Sequence, residues 1–473
     1  MLGPRPGLKE MNLVCWGLFL GFFVFPIAVI LWIRIRMGMR FSDLLPIDFI
    51  YFYGVGRIMN EYPAVKLYDY AIQVKVFNQI YPLHEGVWAT SPYPPLVAKF
   101  FSLLARYSIE RAYFMWFGTS LALYLAGIGA TVKAVFPKER LKASLIFCFA
   151  LSFPPFLYYT LAVGQLTSMA VFSVGLAVYQ DRQSRPFRSG LALSLLAYKP
   201  ILLALLLLML VLTRRFRLLG GFITGAAILI LVATALAGVQ IWPAYAHLLG
   251  IWSRMTGIGG AAVVKHWILI DLNSFWYAMP GGRSRLGLAL LTCFITAIAL
   301  WLATLLWRSA TSNRPVQYLA WAATLTWTLL LNVYIPIYDS SLITIALVLT
   351  LGALRDLEWS DATGWIIFLA VLISAVSGAT EAVARSHGIQ PLTIGLFLLG
   401  MGQLLLLQRA IGAAPKLEIP IAEGRRPLYP GKNQDGVLKS LMPHLMQNRW
   451  ALCMMPGGEG SRWSSATSDA KRT

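Results

Sequence analysis

The chain alternates long apolar runs with short polar breaks from end to end. Runs of roughly 18 or more apolar residues can cross a bilayer as helices. They fall near 12–33, 112–133, 142–161, 164–180, 217–238, 286–307, 316–333, 339–355, 363–381 and 391–410. Two further segments are less regular. Residues 94–107 are amphipathic and short for a full crossing, and 189–213 is long but interrupted by Lys199-Pro200. Proline lacks an amide hydrogen and weakens the preceding turn, so a broken helix or tight hairpin is expected there. About 11 to 13 membrane segments result. The expected fold class is an all-α polytopic integral membrane protein.

Composition agrees. Charged residues make up 13% of the chain, against about 25% in a soluble domain, so much of the surface faces lipid. The net charge of +20 does not imply nucleic acid, because no basic soluble domain exists to carry it. Lysine and arginine instead gather in short loops and in the C-terminal tail, as topology signals and contacts for anionic lipid.

Those clusters set the expected orientation. Arg182/Arg185/Arg188, Arg214/Arg215/Arg217, Arg308/Arg314 and the tail are expected on the cytoplasmic side. The first two flank 189–213 and share a side only if that stretch goes in and comes back. Arg5 and Lys9, and Lys133, Lys138, Arg140 and Lys142, fit the same side if 94–107 does not cross fully. Arg34, Arg36 and Arg40 then stand outside, against the rule. The chain is thus expected to form a membrane domain, 1–411, with large extracytoplasmic loops at 34–93 and 239–285, and a polar, disordered cytoplasmic tail, 412–473. Within the first loop, 49–59 and 68–80 read as interfacial amphipathic helices. The apolar stretch from Met11 to about Trp32 reads as a retained first span, for it lacks a small-residue cleavage site.

The chemistry-bearing residues are few. Cys15, Cys148, Cys293 and Cys453 have neither metal-site nor redox spacing. No Walker loop, Rossmann glycine pattern or zincin helix appears, so neither a metal nor a soluble cofactor is expected. Asp48 follows directly on the first span, in Pro46-Ile47-Asp48-Phe49-Ile50-Tyr51-Phe52-Tyr53. A carboxylate at a span end among aromatics is a functional candidate; its alternative role is capping a helix that begins at Phe49. Asp69 either caps the next helix or helps to bind an acceptor. Asp339, at the start of a span, either binds sugar hydroxyls or serves as a cap or ion-pair partner. Lys199, Arg57, Lys265 and His266 are candidate partners for an anionic leaving group. Lys199 has snorkelling or structural pairing as its alternative, and for His266 a plain loop histidine is the favoured reading over a catalytic one. Gln165 and Asn273 are polar groups at membrane edges, fit for sugar hydroxyls or for satisfying a helix end. Tyr53 and its aromatic neighbours could line a lipid groove.

The order of several short motifs is more informative than any one of them. Asp48-Phe49-x-Tyr51-x-Tyr53 is followed by Leu67-Tyr68-Asp69 and Tyr93-Pro94-Pro95-Leu96. Then come Gly164-Gln165, Ser189-Gly190-Leu191 leading to Lys199-Pro200, Arg214-Arg215-Phe216-Arg217, Asn273-Ser274 and Tyr338-Asp339. Over roughly 12–410 this order resembles the glycosyltransferase-C superfamily, and within it glycosyltransferase family 87. That family includes bacterial polyprenyl-phosphate-mannose-dependent α-1,2-mannosyltransferases. Its clearest members carry a histidine near the late acidic motif, where this chain reads Asn332-Val333-Tyr334-Ile335-Pro336-Ile337-Tyr338-Asp339.

The resemblance implies a polyprenyl-phosphate sugar donor and a glycolipid or glycan acceptor outside the cytoplasm of a bacterial inner membrane. Asp48 would be the general base of an inverting transfer, which needs one base and no enzyme nucleophile. Tyr53, Arg57, Asp69, Gln165, Lys199, Lys265, His266, Asn273, Tyr338 and Asp339 would contact substrate. A transporter or lipid flippase is the competing expectation, since broken helices also mark transporters. A non-catalytic envelope subunit is a third.

Overall fold

The computed structural model describes residues 47–82, 88, 90–256, 266–279, 282, 284–310 and 312–413, with a few positions between 16 and 36. The expected first span, most of the tail and Lys265 lie outside the described residues. Among the described residues there is no strand beyond an isolated bridge between Leu269 and Pro336. The protein is an all-α polytopic membrane protein.

The first described part forms α1 (Ile47–Glu61), α2 (Tyr70–Ile80), α3 (Pro95–Leu104) and α4 (Ile109–Val135). α3 opens with Pro at its first position, where the missing N–H costs nothing. Its ten residues rise about 15 Å, too little for a crossing, and it lies against α1: Asn60 Nδ2 donates to the Ser102 carbonyl at 2.8 Å. α5 (Arg140–Ser152) is followed, after a 58° bend, by a π-helical turn at Pro155–Ala162. α6 (Thr167–Arg182) and α7 (Pro186–Ser194) then pack antiparallel. Ser173 Oγ donates to the Ala192 carbonyl at 2.8 Å, and Ser189 Oγ to the Ala177 carbonyl at 2.7 Å.

Past α7 the chain narrows into two 3-10 turns on either side of Lys199, then forms α8 (Ala204–Leu212) and α9 (Phe216–Ala237). Arg215 ion-pairs with Asp181 at the far end of α6. The stretch between α6 and α9 therefore goes in and comes back, as a hairpin with Lys199-Pro200 at its apex. The remaining helices are α10 (Ile241–Thr256), α11 (Leu272–Ala278), α12 (Arg285–Arg308), α13 (Arg314–Leu330), α14 (Ile343–Asp356), α15 (Ser360–Ser377), α16 (Thr380–His387) and α17 (Pro391–Ala413).

Among the described residues six helices are long and apolar enough to cross a membrane, seven if the bent pair around residue 154 counts as one span. α6 and α13, expected as spans, have 16 and 17 residues. They lie inside the bundle, and α13 is buried throughout from Pro315 to Leu330 apart from Gln317. By contrast α9, α12 and α15 turn large apolar side chains outward, with Leu231 67%, Leu286 70% and Trp365 69% exposed. Apolar residues facing outward around a buried centre are what lipid as solvent requires.

The bundle has two chemically different ends. Arg355 Nη1 donates to Glu139 Oε1 at 2.8 Å and to the Val135 carbonyl at 2.9 Å. That end gathers the basic loops after α4, α6, α8 and α12. The other end gathers α1–α3, the turn before α6, the hairpin apex, and the segments 266–279 and 331–339.

α4 and α6 approach through glycine. A Cβ on Gly127 would stand 2.5 Å from the Val171 carbonyl oxygen, and one on Gly175 would collide with the Gly127 backbone. Small residues at such a crossing let two backbones touch. Gly175→Val is expected to cost about 1–3 kcal/mol through overpacking; a thermal midpoint in detergent equal to that of the unaltered protein would show that the crossing yields freely.

Candidate active site

The site is organised by the turn joining the π-helical segment to α6. Gly164 takes a positive φ of 83° there, which glycine adopts without strain. Its carbonyl accepts from Trp116 Nε1 at 2.8 Å. A Cβ on it would press on Phe49 at 2.9 Å. α1 therefore lies directly on this turn, with Phe49 also edge-on to Tyr113 at 5.2 Å. The contact brings Asp48 to Gln165, whose Nε2 donates to Asp48 Oδ2 at 2.6 Å. Two residues on, Thr167 Oγ1 donates to Asp339 Oδ1 at 3.1 Å. One short turn thus holds carboxylates from positions 48 and 339.

Asp48 lies in the first turn of α1, which starts at Ile47, rather than ahead of a helix beginning at Phe49. A carboxylate in a first turn is favoured by the helix dipole, so this position is locally stable as well as close to Gln165.

Lys199 completes the cluster from the hairpin apex. Its ammonium ion-pairs with Asp339, whose side chain is fully buried while that of Lys199 is 12% exposed. It also stands 4.8 Å from the centre of the Tyr338 ring. The apex is pinned on both sides: Tyr198 Oη donates to the Leu166 carbonyl at 3.0 Å, and Asn332 Nδ2 to the Ile201 carbonyl at 2.6 Å. Structural pairing, the alternative role expected for both Lys199 and Asp339, is present. It does not exhaust an ammonium with three donors.

Tyr93, Tyr334 and Tyr338 close round the carboxylates. Burial drives the Tyr93 hydroxyl well above the usual phenol range, and the nearby charges of Asp339 and Asp48 push the same way. Tyr334 is raised to about 12, by burial first and then by Asp48. Its φ of 60° is a left-handed conformation costly for an aromatic residue. Its ring meets Trp252 edge-on at 5.7 Å.

The strained segment is clamped by Asp271. Ile270 N donates to the Ile335 carbonyl at 2.8 Å, and Ile335 N returns a bond to Asp271 Oδ2 at 3.0 Å. Asp271 also caps α11, accepting from Ser274 N at 2.8 Å and Ser274 Oγ at 2.9 Å. Burial pushes its carboxyl up to about 6, against the pull of those hydrogen bonds.

An apolar cavity of about 300 Å³ adjoins the cluster. Pro94, Leu166, Tyr198 and Pro200, which line it, are sequence neighbours of Tyr93, Gln165 and Lys199, and Trp242 and Tyr245 line it as well.

The other expected site residues stand elsewhere. Tyr53 Oη donates to the Tyr107 carbonyl at 2.8 Å. Arg57 pairs with Glu61 at 2.6 Å. Asp69 caps α2, accepting from Ala71 N at 3.1 Å and Ile72 N at 3.4 Å, and Lys66 lies 3.2 Å from it. Asn273 sits in the first turn of α11, beside Asp271. His266 begins a 3-10 turn, and nothing of its side chain is described. Among the described residues no group of three or more His, Cys, Asp or Glu side chains is placed to hold a metal. Thr167, Tyr334 and Asp271 escaped sequence reasoning. Only Asp271 left a trace, as an acid three positions before Ser274 in an N-cap pattern.

The family model for glycosyltransferase family 87 matches residues 92–336, more than half of the chain. The chain belongs to glycosyltransferase family 87. It is a membrane glycosyltransferase of the C type. Comparison with curated proteins and with solved structures gives no match. The matched residues include Gln165 and Lys199; Asp48 and Asp339 flank them on either side.

Two stability predictions follow from the buried charges of this glycosyltransferase. Removing one partner of a buried pair typically costs about 3–5 kcal/mol, whereas replacing both is often neutral. Lys199→Met should therefore destabilise strongly in denaturation experiments, and Lys199→Met/Asp339→Leu should recover most of the loss. A double variant no better than the single one would remove the pair as the cause. For Asp271, the folded-state value near 6 lies above the ordinary value of 3.8. Such a group stabilises the fold most below the lower value and loses that contribution as pH rises through the upper one. Between pH 4 and pH 6.5 the wild type should lose up to about 3 kcal/mol relative to Asp271→Asn. Parallel pH profiles would contradict the assignment.

Proposed function

We propose that this glycosyltransferase moves a sugar, mannose, from a polyprenyl-phosphate donor to a hydroxyl of an extracytoplasmic glycolipid or glycan, with inversion and with Asp48 as general base. The observation that carries the reading is the Gln165–Asp48 hydrogen bond of 2.6 Å. It ties the proposed base to the turn whose Thr167 holds the Lys199–Asp339 pair, beside an apolar cavity.

The acceptor oxygen attacks the anomeric carbon as the bond from that carbon to the phosphate oxygen breaks. The acceptor proton passes to Asp48, and the electron pair of the broken bond leaves with the lipid phosphate. Gln165 fixes the direction of the carboxylate. The remaining donors of Lys199 receive the phosphate charge, and Asp339 keeps that ammonium in place. The cavity beside Pro94 and Pro200 takes the first isoprene units of the donor, which puts the reactive carbon beside Asp48. Tyr334 and Trp252 offer aromatic faces to a sugar ring, and Tyr338 to the ammonium. Arg57, Asp69, Lys265, His266 and Asn273 are left for the outer reaches of the acceptor. Tyr53 and its aromatic neighbours are left for the surface that the donor lipid passes.

Sidedness rests on charge. The end of the bundle that holds the basic loops belongs in the cytoplasm by the positive-inside rule. The Asp48 end then faces the extracytoplasmic side of a bacterial inner membrane.

The test is transfer of radiolabelled mannose from polyprenyl-phosphate mannose to a pool of bacterial envelope glycolipids, by the purified protein in lipid. Asp48→Asn should reduce transfer by about 10²-fold or more, as loss of a general base does, with an unchanged thermal midpoint. Gln165→Ala should give a smaller loss. Unchanged transfer in Asp48→Asn would remove this carboxylate from the mechanism.

A further inference from the structure

A polar pocket of about 290 Å³ lies at the opposite end of the bundle. α6 runs from Thr167 at the candidate active site to Arg182 at this pocket, a rise of about 22 Å. α13 spans the same distance in the reverse sense, beginning here at Arg314.

The lining gives the pocket a chemistry. Arg182, Asn313, Arg314, Gln317 and Trp321 all contribute to it. Asp181, the acid in the lining, is already ion-paired with Arg215. Among the described residues neither Arg182 nor Arg314 has an ion-pair partner. Two guanidinium groups therefore face the space without local neutralisation. The α6 carbonyls that would oppose an anion are taken: Gln183 N donates to Tyr179 O at 3.1 Å, and Arg185 N to Gln180 O at 3.0 Å.

A second observation is independent of charge. Trp321 is only 2% exposed, and its indole Nε1 has no acceptor among the described residues. A buried N–H left unpaired is costly. Trp321 lines the pocket, so an oxygen-rich ligand that reaches this N–H relieves that cost. The neighbouring amides are partly committed, Gln317 Nε2 to the Ser312 carbonyl at 3.0 Å and Asn313 Oδ1 to Val316 N at 3.5 Å. The 17-residue α13 adds the positive end of its dipole.

We propose that this pocket is a second ligand site that takes a phosphate group, carried by an anionic phospholipid or by a free phosphate compound. Guanidinium forks match phosphate oxygens. A lipid source suits the setting, because the same end carries Arg214, Arg217 and Arg308, and Trp307 is exposed beside Arg214 with the guanidinium 4.7 Å from its ring. Juxtamembrane basic clusters of this kind attract anionic lipid. The inference is independent of the chemistry assigned to Asp48.

Full-length protein purified in a neutral detergent provides the test. Native mass spectrometry compares retention of short-chain phosphatidylglycerol and phosphatidylcholine, and calorimetry follows inorganic phosphate. Phosphatidylglycerol retained over phosphatidylcholine, with affinity reduced at least tenfold in Arg182→Gln/Arg314→Gln, identifies a lipid headgroup. Phosphate binding reduced in the same variant, without lipid preference, identifies a soluble ligand; either result supports the site. Asn313→Asp keeps a good helix cap and sets a like charge against the ligand, so it should weaken binding even if the double variant folds poorly. Arg185→Gln/Arg188→Gln, outside the pocket lining, should leave affinity unchanged. Equal losses in that control, no binding of either probe, or normal binding in Asn313→Asp would overturn the proposal.

Discussion

The turn from Gly164 to Thr167 is the constraint on which the rest of the candidate site depends. Gln165 and Thr167 stand two positions apart, and each holds one carboxylate from a distant part of the chain. Neither carboxylate can move far without the other being felt, because both are referred to one short backbone segment. The turn is itself fixed by a π-helical segment behind it, by Trp116 on its carbonyl and by Phe49 against its glycine. A larger residue than glycine at 164 would meet both a left-handed backbone and the Phe49 side chain. The position of Asp48 is thus set by packing as well as by its hydrogen bond.

Irregular backbone in a membrane protein is tolerated where it is buried in protein or lines a cavity. This protein places its irregular segments together: the π-helical turn, the 3-10 turns around Lys199, the strained Tyr334 and the 3-10 start before α14 all meet at one end. Each break frees backbone groups or points a side chain that a regular helix would have aimed elsewhere. Lys199 sits between two such turns, which lets its ammonium reach Asp339 while Tyr198 and Ile201 anchor the chain on either side. Asp271 plays the same part for 332–336. Its bond from Ile335 N reinforces the single bridge, and its two bonds from Ser274 hold the carboxylate in place to accept it.

What the sequence made legible follows from the range over which each signal acts. Long apolar runs announce helices locally, and Lys199-Pro200 announces a break locally, so the hairpin was readable, with the arginine clusters fixing its ends on one side. Asp48, Gln165, Lys199 and Asp339 stood out as polar groups in or beside apolar runs, and the structure brings those four together. Thr167 did not stand out, because a threonine in a helix usually turns its hydroxyl back on its own backbone; only the fold shows it facing Asp339. Tyr334 carries no sequence mark of its positive φ, which is imposed by the Asp271 clasp and by the bond from Asn332 to the Ile201 carbonyl, 131 positions earlier in the chain. The expected helix start at Phe49 was two residues late, since the local pattern of an N-cap does not distinguish a cap from a first-turn acid. Asp69 does cap α2, and there the local rule was sufficient.

A buried ion pair adds little to stability beyond what a well-packed apolar pair would give, so the fold alone does not require Lys199 and Asp339. What the pair supplies is a cation held at a defined depth, with its counter-charge on the side away from solvent. Asp339 is fully buried and Lys199 is not, so the ammonium is the member that an incoming anion meets. Reversing the two residues would keep the pair's charge balance but present a carboxylate to that anion. The asymmetry of exposure, rather than the strength of the bond, is therefore the property that suits this end of the bundle to the proposed phosphate leaving group.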